Sequence, residues 1–375
     1  MKKLKTTLAF LCAFTCFQAV GQSVDIDINT LIKELGIRES KEASRDMTGW
    51  SRPEKITMRF NPSAETGFGS KEWIQEVADG VEIEFVSSID EIKKSIVDSD
   101  VYIGGCSDVI LTGKNLDYVH ITSAGIDRCN AIPGLKSTKL ITTNNAKVHS
   151  ETIAEHAISM MLALTRNLPG FFELQAKSNW NRGNFSDRPQ SMSVKGKTLL
   201  VLGLGGIGNQ AAIRGYNLGM RVIGTRNSSR NGPDYVDYVG LSDETVELAK
   251  QADVVINALP LTSTTRGIVG KEFFGNLKEG SYYISVGRGP TTDTGALLAA
   301  LKSGDIGGAG LDVTDPEPLP EDHELWSTPN VIITQHSAGR SDLTSRNSIM
   351  ITRENIRRYI QGEKLLNMTD FSRGY

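Results

Sequence analysis

Histidine and cysteine are scarce in this chain: five and four among 375 residues. No Cys/His spacing reads as a zinc site, and His149 and His156 do not fall on adjacent turns of a helix, so no metal is expected. An excess of one charge is also lacking. Forty-one Lys and Arg against 44 Asp and Glu leave a net charge of −3, which excludes a basic surface for nucleic acid or anionic membrane. Beyond residue 20 no apolar run is long enough to cross a bilayer, so no stable membrane insertion is expected. There is no low-complexity segment and no short repeat. What remains, 39% hydrophobic and 23% charged residues, is ordinary for a soluble globular protein with room for two cores.

The N-terminus reads as a targeting segment. Lys2, Lys3 and Lys5 precede an apolar stretch from Leu8 to Val20, and Ala19-Val20-Gly21 offers small residues where a signal peptidase reads. Cleavage is expected after Gly21, with export to the periplasm or beyond; a non-functional leader would leave the chain cytoplasmic. A lipoprotein signal fits less well, because Cys12 and Cys16 lie inside the apolar run. Cleavage leaves Cys106 and Cys129. An exported chain can bridge them, but their distance is not legible, and free thiols are the expectation.

Residues 22–50 form a polar extension with one short helical pattern around Leu31 to Leu35. Short β-branched runs then alternate with helical stretches: KITMRF (55–60), VEIEFV (81–86), VYIGG (101–105), YVHIT (118–122) and LITTN (140–144). A long helix is expected from Glu151 to Leu168, stopped by Pro169-Gly170, followed by a connector over 178–192. A second series follows: TLLVLG (198–203), RVIGTR (221–226), DVVINAL (253–259), YYISV (282–286), GAGLDV (308–313) and NVIIT (330–334). A last helix spans about Asp342 to Ile360; its Arg353, Arg357 and Arg358 read as a solvated face. Strand alternating with helix predicts α/β architecture with mostly parallel sheets. The domains expected are 51–149 plus 342–375, for substrate, and 150–341, for a dinucleotide.

Gly203, Gly205 and Gly208 form G-x-G-x-x-G between an apolar strand and a helix. Such a turn admits a pyrophosphate against the helix N-terminus. The next strand ends in Thr225-Arg226-Asn227-Ser228, with Ser229 and Arg230 close by. No carboxylate stands there to bind a ribose 2′-hydroxyl, and a guanidinium beside hydroxyls suits a 2′-phosphate. NADP is favoured over NAD.

Three ionisable residues close the pattern. Arg288 follows a strand in SVGRGPTTD, Glu317 sits in GLDVTDPEPLP and His336 ends the next strand in TQHSAG. Arginine can fork onto a carboxylate, and histidine can give and retake a proton. A carboxylate beside His336 would favour its charged form and arm it as an acid. His120, His149, His156 and His323 lack such company and read as structural.

These residues resemble the D-isomer-specific 2-hydroxyacid dehydrogenase family over about 55–375, through SAGIDR (123–128), AEHAISMMLALTRNLP (154–169), GLGGIG, NALPLTSTT (257–265) and the three stretches above. The resemblance implies two Rossmann-like or flavodoxin-like doubly wound domains with an interdomain cleft. It also implies a homodimer and a small 2-oxo or 2-hydroxy acid substrate. It gives Arg288 the substrate carboxylate and carbonyl, His336 the acid/base role and Glu317 the place of its partner. Gly104, Gly105 and Cys106 would offer amides to the substrate. Gly206, Ile207, Leu259, Pro260, Val286, Gly287, Ala338 and Gly339 would line the cofactor, with Asp312 on the nicotinamide carboxamide. Three departures stand out: Gln335 replaces a proline before the histidine, Lys147 replaces a glycine near the hinge, and the acidic NAD marker is absent. Formate dehydrogenases are similar but carry glutamine at the position of Glu317, so carbonyl reduction is the expected direction. The rival reading is a non-catalytic dinucleotide sensor or scaffold, since some relatives act as corepressors; the export signal and the intact triad argue against it.

Overall fold

The computed structural model describes residues 27–62, 65–180, 191–227, 229–369 and 371. The expected leader therefore lies outside the described residues, as does Ser228. Two parallel sheets organise the chain. The first contains β1 (Lys55–Arg59), β2 (Glu82–Val86), β3 (Val101–Gly104), β4 (Tyr118–Ile121) and β5 (Ile141–Asn144), in the order β2-β1-β3-β4-β5. The second contains β6 (Thr198–Leu202), β7 (Arg221–Arg226), β8 (Tyr238–Leu241), β9 (Val254–Asn257), β10 (Ser281–Ser285), β11 (Ile306–Leu311) and β12 (Val331–Ile333). Its order is β12-β11-β10-β9-β6-β7-β8.

The central strands are buried at every position, as in TLLVL of β6, SYYIS of β10 and VYIG of β3. Helices on both faces require this continuous apolarity. Each sheet reverses its winding direction once, between β1 and β3 and between β6 and β9. Loops leaving the carboxyl ends there part and open a crevice. The dinucleotide turn follows β6, at such a point.

The helix expected from Glu151 to Leu168 is two helices, Ser150–Thr165 and Leu168–Ala176. Asn167 breaks them apart at φ 55°, and Pro169 lies in the first turn of the second helix, where its missing N–H costs nothing. Pro169 therefore starts a helix rather than stopping one. Of the expected connector, 181–190 lie outside the described residues.

The helix Asp342–Ile360 packs back on the first sheet, burying Ile356, Tyr359 and Ile360 with Ile56, Met58 and Tyr118. Its arginines are not a solvated face. Arg358 is buried between Glu354 (2.6 Å) and Glu39 (2.6 Å), Arg357 holds Glu354 and Glu363, and Arg353 lies 4.2 Å over the Trp73 ring. Desolvation makes an unpaired buried arginine costly, so the helix's own Glu354 is joined by Glu39 and Glu363 from segments the helix must hold. Those segments include the N-terminal extension. Its helix Ile28–Glu34 buries Leu31, which joins Ile37, Val148, Ile351 and Leu366 in a small core. Glu39 bridges Leu366, and the amides of Ser40 and Ser44 bond the carbonyls of Leu365 and Glu363.

His120 of β4 is fully buried and joins the same helix to the sheet, with Nδ1 at 2.8 Å from Thr143 Oγ1 and Nε2 at 3.0 Å from Thr352 Oγ1. Burial pushes its pKa from 6.5 down to about 3. Between those values the unfolded chain takes up a proton that the folded chain refuses. The stability His120 contributes is thus complete above the unfolded value and is lost as pH falls towards the folded one. Unfolding free energy should drop by up to about 1.4 kcal/mol per pH unit in that window. Urea melts of His120→Gln across the same pH range should show a shallower slope; an identical slope would remove this assignment.

Cys106 and Cys129 are not free thiols. They form a disulfide, with Cα atoms 5.0 Å apart and 23 residues of sequence separation. Cys106 lies in the loop after β3 and Cys129 on the short helix Asp127–Asn130 after β4. Because β3 and β4 are neighbours, their carboxyl-end loops meet, which their sequence positions alone do not reveal. Closing a loop of this length restricts the unfolded chain by about 3 kcal/mol.

Candidate active site

Arg288 leaves the carboxyl end of β10 and reaches across to the first sheet's loops. Its Nε donates to Asp127 Oδ1 at 2.9 Å and its Nη1 to the Gly287 carbonyl at 2.9 Å. The guanidinium passes so close over Gly125 that a Cβ there would collide with Nη2. Neither Asp127 nor Gly125 was given a role by the sequence, although both lie in the SAGIDR stretch. A Gly-x-Asp after a strand end was the available signal.

His336 lies beyond β12 with φ 49°, a backbone conformation that non-glycine residues adopt at a cost of about 1–3 kcal/mol. It is held there by its own amide, 2.8 Å from the Asp312 carbonyl, and by the Asp312 carboxylate. Asp312 is buried and accepts from the Ser337 and Ala338 amides and from the Thr334 hydroxyl. The expected carboxamide partner thus also shapes the histidine loop. His156 adds to this network through Thr334 Oγ1 (2.9 Å). Nδ1 of His336 meets Glu317 Oε1 at 2.8 Å, leaving Nε2 for a reacting molecule. Both side chains remain partly exposed, 42% and 36%.

Arg288, Glu317 and His336 line one cleft of about 720 Å³ between the two sheets, together with Gly105, Cys106 and Asp127. Gly104 ends β3, and its carbonyl is taken by the Thr122 amide. The disulfide therefore ties one wall of this cleft, at Cys106, to the helix carrying Asp127. Arg59 and Arg128 also border it. A cleft with one cation held by a carboxylate, and one imidazole oriented by another, can grip an anion and exchange one proton with it.

The dinucleotide turn is formed. Gly203 has φ 87°, and a Cβ at Gly208 would strike the Gly203 carbonyl, so the turn permits only glycine at its third position. Thr225 Oγ1 accepts from the Gly203 amide at 3.2 Å, fixing β7 beside the turn. Arg226 ends β7 with its Nε buried and, among the described residues, without a partner, as a site awaiting an anion would be. Asn227 is exposed. Arg230, in contrast, is taken by Glu244 at 2.7 Å and stacks over Tyr238, which removes it from the expected 2′-phosphate group. Gly205, Gly206, Ile207 and Pro260 border a second cavity of about 760 Å³. Gly287 abuts the Leu259 backbone, Val286 is buried, and Gly339 lies against the His149 ring. These residues fit a dinucleotide. Among the described residues no group of three His, Cys, Asp or Glu could hold a metal ion.

Known proteins share this arrangement. The family model for the NAD binding domain of D-isomer specific 2-hydroxyacid dehydrogenases matches residues 158–338. Glyoxylate reductase/hydroxypyruvate reductase of Homo sapiens is 30% identical over 256 residues, 68% of this chain and 76% of that protein. The chain belongs to the D-isomer-specific 2-hydroxyacid dehydrogenase family. D-3-phosphoglycerate dehydrogenase of Methanocaldococcus jannaschii is 31% identical over 79% of this chain, but only 56% of its own length is covered. The structure of a family member from Xanthobacter autotrophicus Py2, in complex with NADPH and MES, superposes with a TM-score of 0.70 at 26% identity. It covers 87% of this chain and all of that one. As a family member the chain is an NAD(P)-dependent oxidoreductase of small 2-hydroxy or 2-oxo acids. Lys147 also makes physical sense in this light. It has φ 69°, the left-handed conformation that favours glycine, and its ammonium donates to the Gly36 carbonyl of the extension.

Proposed function

We propose that this dehydrogenase reduces a small 2-oxo acid, such as glyoxylate or hydroxypyruvate, to the D-2-hydroxy acid, with NADPH favoured over NADH. The observation that carries the reading is the His336–Glu317 contact beside Arg288 in one cleft. The reduced nicotinamide would supply a hydride to the carbonyl carbon. Arg288 would hold the substrate carboxylate and draw charge from the carbonyl oxygen, to which His336 Nε2 delivers the proton. Glu317, accepting from Nδ1–H, orients the ring so that Nε2 is free for the substrate. Arg226, with its orphaned Nε and no nearby carboxylate of its own strand end, supports the 2′-phosphorylated cofactor. The half-open triad supports closure of the two domains on substrate, which excludes water.

Mixing the protein with NADPH or NADH and a panel of 2-oxo acids, and following loss of the nicotinamide's near-ultraviolet absorbance, tests this directly. Oxidation in no mixture would favour a sensor. Glu317→Gln should lower kcat for reduction by about tenfold, since a neutral amide weakens the bond that orients Nδ1–H, and should leave dinucleotide affinity unchanged. A wild-type kcat would leave Glu317 without its role. The reading places the enzyme outside the cytoplasm as a homodimer, on the strength of the leader sequence and the family; cell fractionation and light scattering test these two points. Free nicotinamide cofactor is scarce there, so the enzyme would have to retain its own.

A further inference from the structure

The cavity at the dinucleotide turn has a wall that the family resemblance, which starts near residue 55, does not include. Besides Gly205, Gly206, Ile207 and the neighbouring Lys147, it is bordered by Arg38 and Lys41 of the N-terminal extension. The wall is firmly built. The amide of Asn367 bonds the Arg38 carbonyl, Ser40 bonds Leu365 through both amide and hydroxyl, and the Lys147 ammonium donates to Gly36. Two carboxylates share it: Glu39, already held by Arg358, and Glu42. Arg38 and Lys41 have no side-chain partner among the described residues, and both are exposed at the edge of this open cavity. Burial, then the charge of Arg38, pushes the Lys147 ammonium below its usual range.

We propose that the extension is part of the cofactor site, with Arg38 and Lys41 facing the pyrophosphate that the glycine turn holds from the other side. This rests on the dinucleotide reading above. The turn supplies backbone amides to one face of the diphosphate, and two exposed cations fit the other. The pyrophosphate is common to both nicotinamide dinucleotides, so the extension adds affinity without choosing between them. A cofactor held between a turn and a fixed strap would leave slowly, which suits an enzyme working where free cofactor is scarce.

Deleting the extension would expose Val148, Ile351 and Leu366, which it covers with Leu31 and Ile37, so the test keeps the backbone. Arg38→Gln with Lys41→Gln removes both charges at exposed positions and retains much of each side-chain stem. Kd for NADPH and for NADH, measured by nicotinamide fluorescence on full-length protein, should rise about tenfold or more for both. Lys33→Gln, a charge removed elsewhere on the extension, should leave both unchanged, which separates a local contact from long-range attraction. The KM for the 2-oxo acid at saturating cofactor should also stay constant. Wild-type affinity retained by the double variant would overturn the proposal while leaving the dinucleotide site intact. A loss confined to NADPH would overturn the assignment to the pyrophosphate. Failure of the wild type to bind either dinucleotide would overturn this proposal together with the reading beneath it.

Discussion

His336→Asn is expected to lower kcat for 2-oxo acid reduction by roughly 10²- to 10⁴-fold, the range that a positioned proton donor contributes. Asparagine is chosen because His336 sits at φ 49°. Asparagine tolerates the left-handed conformation better than alanine, so the loop that Asp312 holds should persist. Asparagine cannot deliver a proton at neutral pH, so the loss isolates the acid role. Dinucleotide affinity should be unchanged, because the glycine turn and Arg226 lie on other loops of the second sheet. Stopped-flow turnover and a fluorescence titration on the same preparation measure the two quantities. Near-wild-type kcat with every 2-oxo acid would sink the mechanism. Equal loss of cofactor affinity would mean that the loop had moved and would call for His336→Gln. The contrast also separates enzyme from sensor: a sensor has no turnover to lose.

The placement of Arg288 and His336 was legible because both sit just past strand ends, and strand ends are marked by apolar runs that stop. Arg288 follows YYISV and His336 follows NVIIT, so their positions at one edge of one sheet followed from topology. What crossed between sheets was not legible. Asp127 meets Arg288 over 161 positions of sequence, and nothing in the local pattern of either announces the other. The disulfide was missed for the same reason: its distance depends on β3 and β4 being neighbours, which is a fact of strand order. β8 was missed because Tyr238–Leu241 is a four-residue edge strand with a glycine in it. The arginines of the last helix were misread because helical periodicity shows which residues share a face but not what lies on it. Here it is the extension and the closing chain that cover them, through Glu39 and Glu363.

Arg288→Lys is expected to lower kcat/KM by about 10²- to 10⁴-fold, although the charge is kept, since two charge-assisted hydrogen bonds are at stake. The reason is geometric. Nε is fixed by Asp127 and Nη1 by the Gly287 carbonyl, which set the plane of the guanidinium and direct its remaining N–H groups along the cleft that His336 shares. An ammonium is a point charge without a plane. Drawn towards Asp127, it could satisfy that carboxylate and leave the substrate's unheld, or the reverse, but not both with the same alignment. The close passage over Gly125 adds a steric reason: the flat guanidinium fits a gap that tolerates no Cβ, and a tetrahedral ammonium with its hydration shell is thicker. The loss should appear in both kcat and KM, because Arg288 would bind the carboxylate in the ground state and stabilise the carbonyl oxygen as charge develops there. A rise in KM alone would restrict Arg288 to binding. Steady-state kinetics at saturating dinucleotide distinguish the two, and a variant with wild-type kcat/KM would place the substrate elsewhere than in this cleft.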